Sequence, residues 1–257
     1  TLRADGSTKF GPNNKYGYFP SFAFKWRLIE ESFCPDLFSD LGLRLGYGIT
    51  GNQDIPHNLY LTRTRFSDGG IDNGGNAFTG GASSVAFENP DIKWESTTQA
   101  NLGLDWAFWG SRLSGSIDVY KKNTKDMLVK VYAAQPSPSA FTWKNLDADV
   151  ENKGVELGIN LVAVEKAKFS WRFMANVAFN SNEVKSFGSI LNTGRIHGQG
   201  LSEAYAERIA EGQPLYAFYV REFVGYDKDG ITLYKDGLDK QVFVDKAPSP
   251  KMSTGIT

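Results

Sequence analysis

Hydrophobic and polar residues alternate in six separate blocks of the chain, each about ten residues long. In residues 41–50, leucine, tyrosine and isoleucine occupy every second position, and glycine, arginine and threonine lie between them. A period of two places successive side chains on opposite faces of a β-strand. The pattern therefore predicts six strands, over residues 21–28, 41–50, 98–108, 113–120, 155–163 and 169–180.

The links between these strands alternate in length. Residues 108–112 and 164–168 are short turns, and residues 29–40 form a somewhat longer turn. The links over residues 51–93, 121–151 and 181–251 are long. Short turns at one end and long loops at the other are typical of outer-membrane barrels. A tilted strand of about ten residues crosses roughly 23 Å, which suits the apolar band of such a barrel.

Two architectures fit alternating strands. In a soluble β-sandwich the apolar face packs on a second sheet, whereas in a membrane barrel it faces lipid. The polar face here is rich in glycine, serine, asparagine, glutamine and arginine, and the apolar face repeatedly ends in aromatic residues, as interfacial girdles do. The pattern favours an all-β fold, an antiparallel up-and-down transmembrane β-barrel segment of about six strands, and leaves the sandwich as the alternative.

In a barrel, the alternation also predicts which side chains meet lipid and which meet the lumen. The side chains predicted to face lipid are Phe24, Leu43, Leu104, Ile159 and Phe173. The side chains predicted to face the lumen are Lys25, Arg44, Asn101, Asn160 and Arg172.

Composition narrows the function classes. A formal net charge of -1 gives no basic surface for nucleic acid, and no apolar run is long enough for a transmembrane helix. His57 and His197 are the two histidines, and neither belongs to a metal-binding or nucleophile motif. The single cysteine, Cys34, has no internal disulfide partner. We therefore predict neither an enzyme nor a cofactor site.

Two features of the long links have two interpretations each. Residues 227–230 read Asp-Lys-Asp-Gly, in which Asp227 and Asp229 could bind a cation, but a hairpin turn explains the same residues. Aromatic side chains in the links could contact a substrate or a lid protein, or could pack the loops against each other. These aromatic candidates are Tyr60, Trp94, Phe141 and Trp143.

Five stretches of the chain, taken in order, resemble the second half of SusC/RagA-family barrels. They are residues 3–10 with 16–21 (RADGSTKF and YGYFPS), 43–53 (LRLGYGITGNQ), 89–99 (NPDIKWESTTQ), 150–157 (VENKGVEL) and 211–216 (EGQPLY). Within the fourth stretch, Asn152-Lys153-Gly154 predicts a bend at a strand entry, with Gly154 supplying a positive φ.

The resemblance implies a 22-stranded barrel with an N-terminal plug, energised through TonB, in the outer membrane of a Gram-negative, Bacteroidota-like cell. It also implies a SusD/RagB-like surface lipoprotein that closes the barrel as a lid, and glycan or peptide substrates. We expect residues 1–257 to be part of the barrel domain, with the plug, its TonB-contacting segment and the final strands outside this chain.

Other functions remain open from the residues. A siderophore or cobalamin receptor would use a similar barrel without a lid lipoprotein, and a surface or secretion-system barrel would not import at all. An outer-membrane hydrolase would need a Ser/His or Asp/His pair at the rim, which the sequence does not offer.

Overall fold

The computed structural model describes residues 1–71, 74–75, 77–86, 88–133, 141–196, 204–235 and 242–244. Within them the secondary structure is β-strand apart from turns and two short 3-10 segments. The strands in chain order are β1 (Leu2–Gly6), β2 (Tyr16–Arg27), β3 (Phe38–Asn52), β4 (Arg63–Ile71), β5 (Ala77–Ala86), β6 (Glu95–Phe108), β7 (Leu113–Tyr132), β8 (Phe141–Lys166), β9 (Phe169–Phe187), β10 (Leu191–Arg195), β11 (Tyr205–Ile209), β12 (Ala217–Val220), β13 (Phe223–Tyr226), β14 (Thr232–Tyr234) and β15 (Val242–Val244).

The six predicted strands are confirmed as β2, β3, β6, β7, β8 and β9. Together with β1 they form a seven-stranded sheet in the order β1-β2-β3-β6-β7-β8-β9. The pairings of β1 with β2, β2 with β3, β3 with β6 and β6 with β7 are all antiparallel. β4 and β5 pair with each other in a separate hairpin within the link from β3 to β6.

Several of these strands extend well beyond the predicted blocks, and this corrects one predicted link. Residues 121–151 were expected to form a long loop, but β7 continues to Tyr132 and β8 starts at Phe141. The alternation of hydrophobicity ends at Tyr120 while the strand goes on, because the end of β7 lies in other surroundings: Val129 and Val131 are buried, and Leu128 packs against a small hydrophobic core. The hydrophobic pattern reports the environment of the strand and not its length.

The turn between β6 and β7 is as short as predicted. Trp109, Gly110 and Ser111 all have positive φ, at 52°, 63° and 64°. The hairpin closes with Phe108 opposite Leu113. Because this turn fixes the pairing of β6 with β7, it also fixes which side chains lie side by side on the two faces.

The chain divides into two compact units, residues 1–147 with 152–180 and residues 148–151 with 181–257. In the second unit, β10, β11, β12 and β15 form a four-stranded sheet, and β13 pairs with β14. The hairpin interpretation of residues 227–230 is confirmed, since the turn joins Tyr226 to Thr232. The Asp227 carboxylate accepts hydrogen bonds from the backbone N–H groups of Asp229 and Ile231, both at 2.8 Å.

Candidate functional site: two faces and one end of the seven-stranded sheet

The strand register places the predicted residues of β2, β3 and β6 on two opposite faces. Leu43 lies opposite Leu104, and Phe24 lies opposite Leu45, so all of them share one face. Lys25 lies opposite Arg44, and Asn101 lies opposite Gly46. Arg44 and Gly46 are two positions apart on β3, so Lys25, Arg44 and Asn101 share the other face. We call these the apolar face and the polar face.

In β8 and β9 the same division follows from close contacts across the strands. A Cβ atom on Gly158 would lie 3.6 Å from Ser116 Oγ and 3.3 Å from Asn176 Oδ1, so these residues share the polar face. Because side chains alternate along a strand, Asn160 and Arg172 belong to the polar face. Ile159 and Phe173 belong to the apolar face by the same rule.

Charged side chains on the polar face form a network across four strands. The Arg44 guanidinium donates to both carboxylate oxygens of Asp105, at 2.8 and 2.9 Å, and its NH2 atom lies 2.9 Å from Asp118 Oδ1. Lys25 Nζ lies 3.7 Å from Asp105. The contact between Arg44 and Asp105 is a bidentate arginine–carboxylate pair. The alternation along β3 predicts Arg44 on this face but does not predict its partners.

Gly103 provides the space for this network. It lies directly opposite Arg44 on the neighbouring strand. A Cβ atom at Gly103 would lie 2.7 Å from the guanidinium carbon of Arg44, closer than side-chain atoms tolerate. The absent side chain lets Arg44 extend from β3 over β6 to reach Asp118 on β7.

Gly154 also leaves space for a side chain that crosses it. The bend predicted at residues 152–154 is therefore wrong. Gly154 lies inside β8 and is not among the positive-φ residues. The Tyr120 hydroxyl crosses above it and donates to Asn180 Oδ1 at 2.8 Å. A Cβ atom at Gly154 would lie 2.8 Å from that hydroxyl, so glycine is needed here for space and not for backbone conformation.

The apolar face leaves large side chains uncovered. Phe173 is 52% exposed and Phe22 62% exposed, and Trp171 and Phe179 are likewise exposed. Toward the short turns the face ends in aromatic rings that contact each other at tilted angles, with centroids 4.7 Å apart for Phe38 and Phe108. An exposed apolar surface of this extent marks an interaction surface on a folded protein.

At the opposite end, the links between strands meet in a small hydrophobic core, which we call the outer-end core. Its buried members are Phe10, Ile55, Leu59 and Ile92. Three of the four aromatic candidates, Tyr60, Trp94 and Trp143, pack against it together with Leu128. This packing agrees with the interpretation that the loop aromatics pack the loops against each other.

Trp94 is the centre of the aromatic contacts in this core. Its ring lies 5.0 Å from that of Phe10 and 5.4 Å from that of Phe19. Its Nε1 atom is buried without a hydrogen-bond partner among the described residues. The indole therefore contributes packing area to the core, and contact with a substrate or lid stays a prediction for it.

Hydrogen bonds fix the same links to the strands. The Asn145 side chain accepts from the Lys93 N–H at 2.9 Å and donates to the carbonyls of Lys93 and Asp126, both at 2.8 Å. The Asn89 amide donates to the Trp143 carbonyl at 2.9 Å. A side chain that satisfies three backbone groups holds its segment in one arrangement.

Two of the aromatic candidates lie elsewhere than predicted. Phe141 and Trp143 belong to the start of β8 and not to a loop, because β8 begins before the hydrophobic alternation does. Phe141 is partly exposed, and Lys130 Nζ lies 4.3 Å from its ring centroid. A cation over an aromatic face is a favourable contact between neighbouring strands.

The described residues contain no cluster of three or more histidine, cysteine, aspartate or glutamate side chains that could hold a metal ion. In the same part of the chain, no helix is long and apolar enough to span a bilayer. The Asp227 carboxylate is used within its own turn.

The chain matches relatives of one kind. It is 32% identical to the TonB-dependent receptor SusC of Bacteroides thetaiotaomicron over 99% of this chain and 26% of the relative. It is also 32% identical to the TonB-dependent receptor P3 of Formosa agariphila, over 90% of this chain and 23% of the relative. The chain thus spans about a quarter of the length of these relatives.

The fold has counterparts among solved structures. The structure of the RagAB peptide importer in its closed-closed state superposes with a TM-score of 0.76, covering 96% of this chain and 28% of that one at 24% identity. The open-open state gives a TM-score of 0.75. The model of the family described as "TonB dependent receptor-like, beta-barrel" matches residues 1–216. With its antiparallel strands and two contrasting faces, the chain belongs to the TonB-dependent receptor-like β-barrel family.

Proposed function

We propose that this chain forms part of the barrel wall of an outer-membrane, TonB-dependent importer for oligomeric nutrients, either glycans or peptides. The observation that carries the proposal is the contrast between the two faces of the seven-stranded sheet. One face exposes large apolar side chains, and the other carries a cross-strand network of ion pairs. A wall between lipid and an aqueous lumen requires this contrast.

In this function the apolar face, with Phe24, Leu43, Leu104, Ile159 and Phe173, meets lipid. The polar face, with Lys25, Arg44, Asn101, Asn160 and Arg172, lines the lumen. The names of the relatives support import: SusC is a TonB-dependent receptor, and RagAB is a peptide importer. The energy would come from TonB through parts of the importer outside this chain.

The outer-end core and the β4–β5 hairpin would lie at the extracellular mouth, since they are at the end opposite the short turns. A SusD/RagB-like surface lipoprotein would dock there as a lid. The outer-end core supports this role because it fixes the links in place and so gives a partner a preformed surface. All four aromatic candidates retain partial exposure and stay candidate contacts: Tyr60, Trp94, Phe141 and Trp143.

The test is gentle purification of the intact protein from its native outer membrane, followed by identification of associated proteins and an uptake assay. We expect a surface lipoprotein to co-purify and uptake of an oligosaccharide or an oligopeptide to depend on the protein. Purification without a lipoprotein, together with uptake of an iron chelate or cobalamin, would contradict the proposal in favour of a lid-free receptor.

A further inference from the structure

The apolar face carries two lysines side by side at one edge, on neighbouring strands. Lys121 lies opposite Ala100, which lies opposite Tyr47, so all three share the apolar face. The Val162 N–H donates to the Arg112 carbonyl at 2.7 Å, which fixes the alignment of β8 with β7.

Counting from that hydrogen bond along antiparallel strands brings Lys153 opposite Lys121. The contact between Tyr120 and Gly154 gives the same alignment, one residue away. Both lysines are exposed. Lys125, which lies opposite Ser96, adds a third exposed lysine to the same face and the same edge.

Next to these lysines lies a shallow apolar groove. Ala100 forms its floor because its side chain is small between larger neighbours. The residues that line the groove include Phe22, Leu45, Tyr47, Leu102, Val119 and Lys121. The groove thus has one cationic end and an otherwise apolar wall, which is the shape and polarity of a lipid with an anionic headgroup and an acyl chain.

The position of the lysines agrees with the edge of a membrane. Ala100 is eight residues from Phe108 at the short-turn end. At about 3.3 Å per residue and a tilt near 45°, the lysine row lies roughly 19 Å above that end. The apolar band of a barrel is about 25 Å tall, so the lysine backbone lies about 6 Å inside its outer border, a distance that a lysine side chain can span to place its ammonium group at the interface.

We propose that this face holds an anionic lipid of the outer leaflet, with its phosphate at Lys121 and Lys153 and one acyl chain in the groove above Ala100. The inference rests on the proposed function, because it requires the apolar face to meet the membrane. It commits to a phosphorylated lipid, since an isolated anion would make no use of the groove.

The experiment uses the intact importer in mild detergent, with native mass spectrometry measuring retention of added lipid A that carries two phosphates. The double variant Lys121→Ser/Lys153→Ser should reduce retention about 30-fold, the scale expected for two lysines at an anionic membrane surface. Ala100→Phe, which fills the groove and keeps both lysines, should also reduce retention. Lys122→Ser is the matched control, because Lys122 lies opposite Gln99 on the polar face.

Retention that is unchanged in the double variant, or reduced equally by Lys122→Ser, would overturn the lipid site. Complete displacement of lipid A by excess inorganic phosphate would overturn it as well, because the site would then bind an anion alone. Quenching of tryptophan fluorescence by brominated lipid, measured on the same preparations, tests the proposed function separately. Absence of quenching would contradict the membrane-facing role itself, whatever the lysine variants show.

Discussion

The two faces of the seven-stranded sheet differ in how their side chains are bonded and exposed. On the polar face, side chains reach across strands and bind each other, as Arg44 binds Asp105 and Asp118. On the apolar face, large side chains such as Phe22 and Phe173 stay exposed. In a water-soluble protein the apolar face would be the buried one. The difference is the one that the proposed wall between lipid and an aqueous lumen requires, with the cross-strand bonds on the lumen side.

The largest effect should come from placing a charge on the apolar face. Leu104→Arg should impair assembly of the intact barrel, because an arginine near the bilayer midplane costs about 2–4 kcal/mol in a transmembrane barrel. Asn101→Arg, three residues away on the same strand but on the polar face, should assemble normally. Heat-modifiable migration of the folded barrel on gels measures both variants. Equal tolerance at the two positions would refute the assignment of the faces.

A smaller effect should follow from breaking the polar-face network. Arg44→Met leaves Asp105 and Asp118 without their shared cation, and should lower the free energy of unfolding by about 1 kcal/mol, since the groups are partly exposed. Arg27→Met is the control, because the pair that Arg27 forms with Glu30 at 2.7 Å is well exposed. Urea unfolding in lipid vesicles compares them, and equal losses would argue against a special role for the network.

The hydrogen bond across Gly154 should contribute still less. Tyr120→Phe removes the donor to Asn180 and should destabilise the folded barrel by about 0.5 kcal/mol. Tyr47→Phe, on the apolar face, is the control and should be neutral in the same urea unfolding assay. A larger loss of unfolding free energy for Tyr47→Phe than for Tyr120→Phe would contradict the assignment of the stabilising hydrogen bonds to the polar face.

The smallest effect on stability should come from the β4–β5 hairpin, which forms a sheet of its own. Deleting residues 68–77, which are the tip of this hairpin with the end of β4 and the first residue of β5, should leave assembly of the intact protein unchanged but weaken lid binding or uptake, because the two strands pair only with each other among the described strands and contribute little folding energy. Lid retention is measured by co-purification. Normal retention and uptake after the deletion would remove this hairpin from the proposed lid surface.

The sequence predicts the strands that have one apolar face, and does not predict the shorter strands or the extensions of the long ones. Six strands follow from the alternation because one face of each is apolar. β1 was missed because Leu2–Gly6 is short and mostly polar, and the extension of β7 to Tyr132 because its residues no longer alternate. The four-stranded sheet of the second unit consists of strands of three to five residues, too short for a reliable period.

The sequence also predicts only part of the candidate site, because hydrophobic alternation gives the face of a residue and not its partners. Alternation is enough to assign Arg44 and Lys25 to the polar face. It does not give the partners of Arg44, because β3 and β6 are separated by a long link and their register is set by tertiary structure. The packing of the loop aromatics was one of two interpretations, but the buried members of the outer-end core were not identified, since Phe10, Ile55 and Ile92 come from three separate links without a repeating pattern.

The most direct test of the central claim is the alternation of solvent along β6 in the intact barrel. Single nitroxide labels would be placed at Gln99, Asn101, Leu102 and Leu104, in a background with Cys34→Ser. We predict that labels at Leu102 and Leu104 collide with oxygen dissolved in lipid, and that labels at Gln99 and Asn101 collide with a water-soluble nickel complex. Equal accessibility at all four positions, or the opposite alternation, would contradict a wall between lipid and lumen.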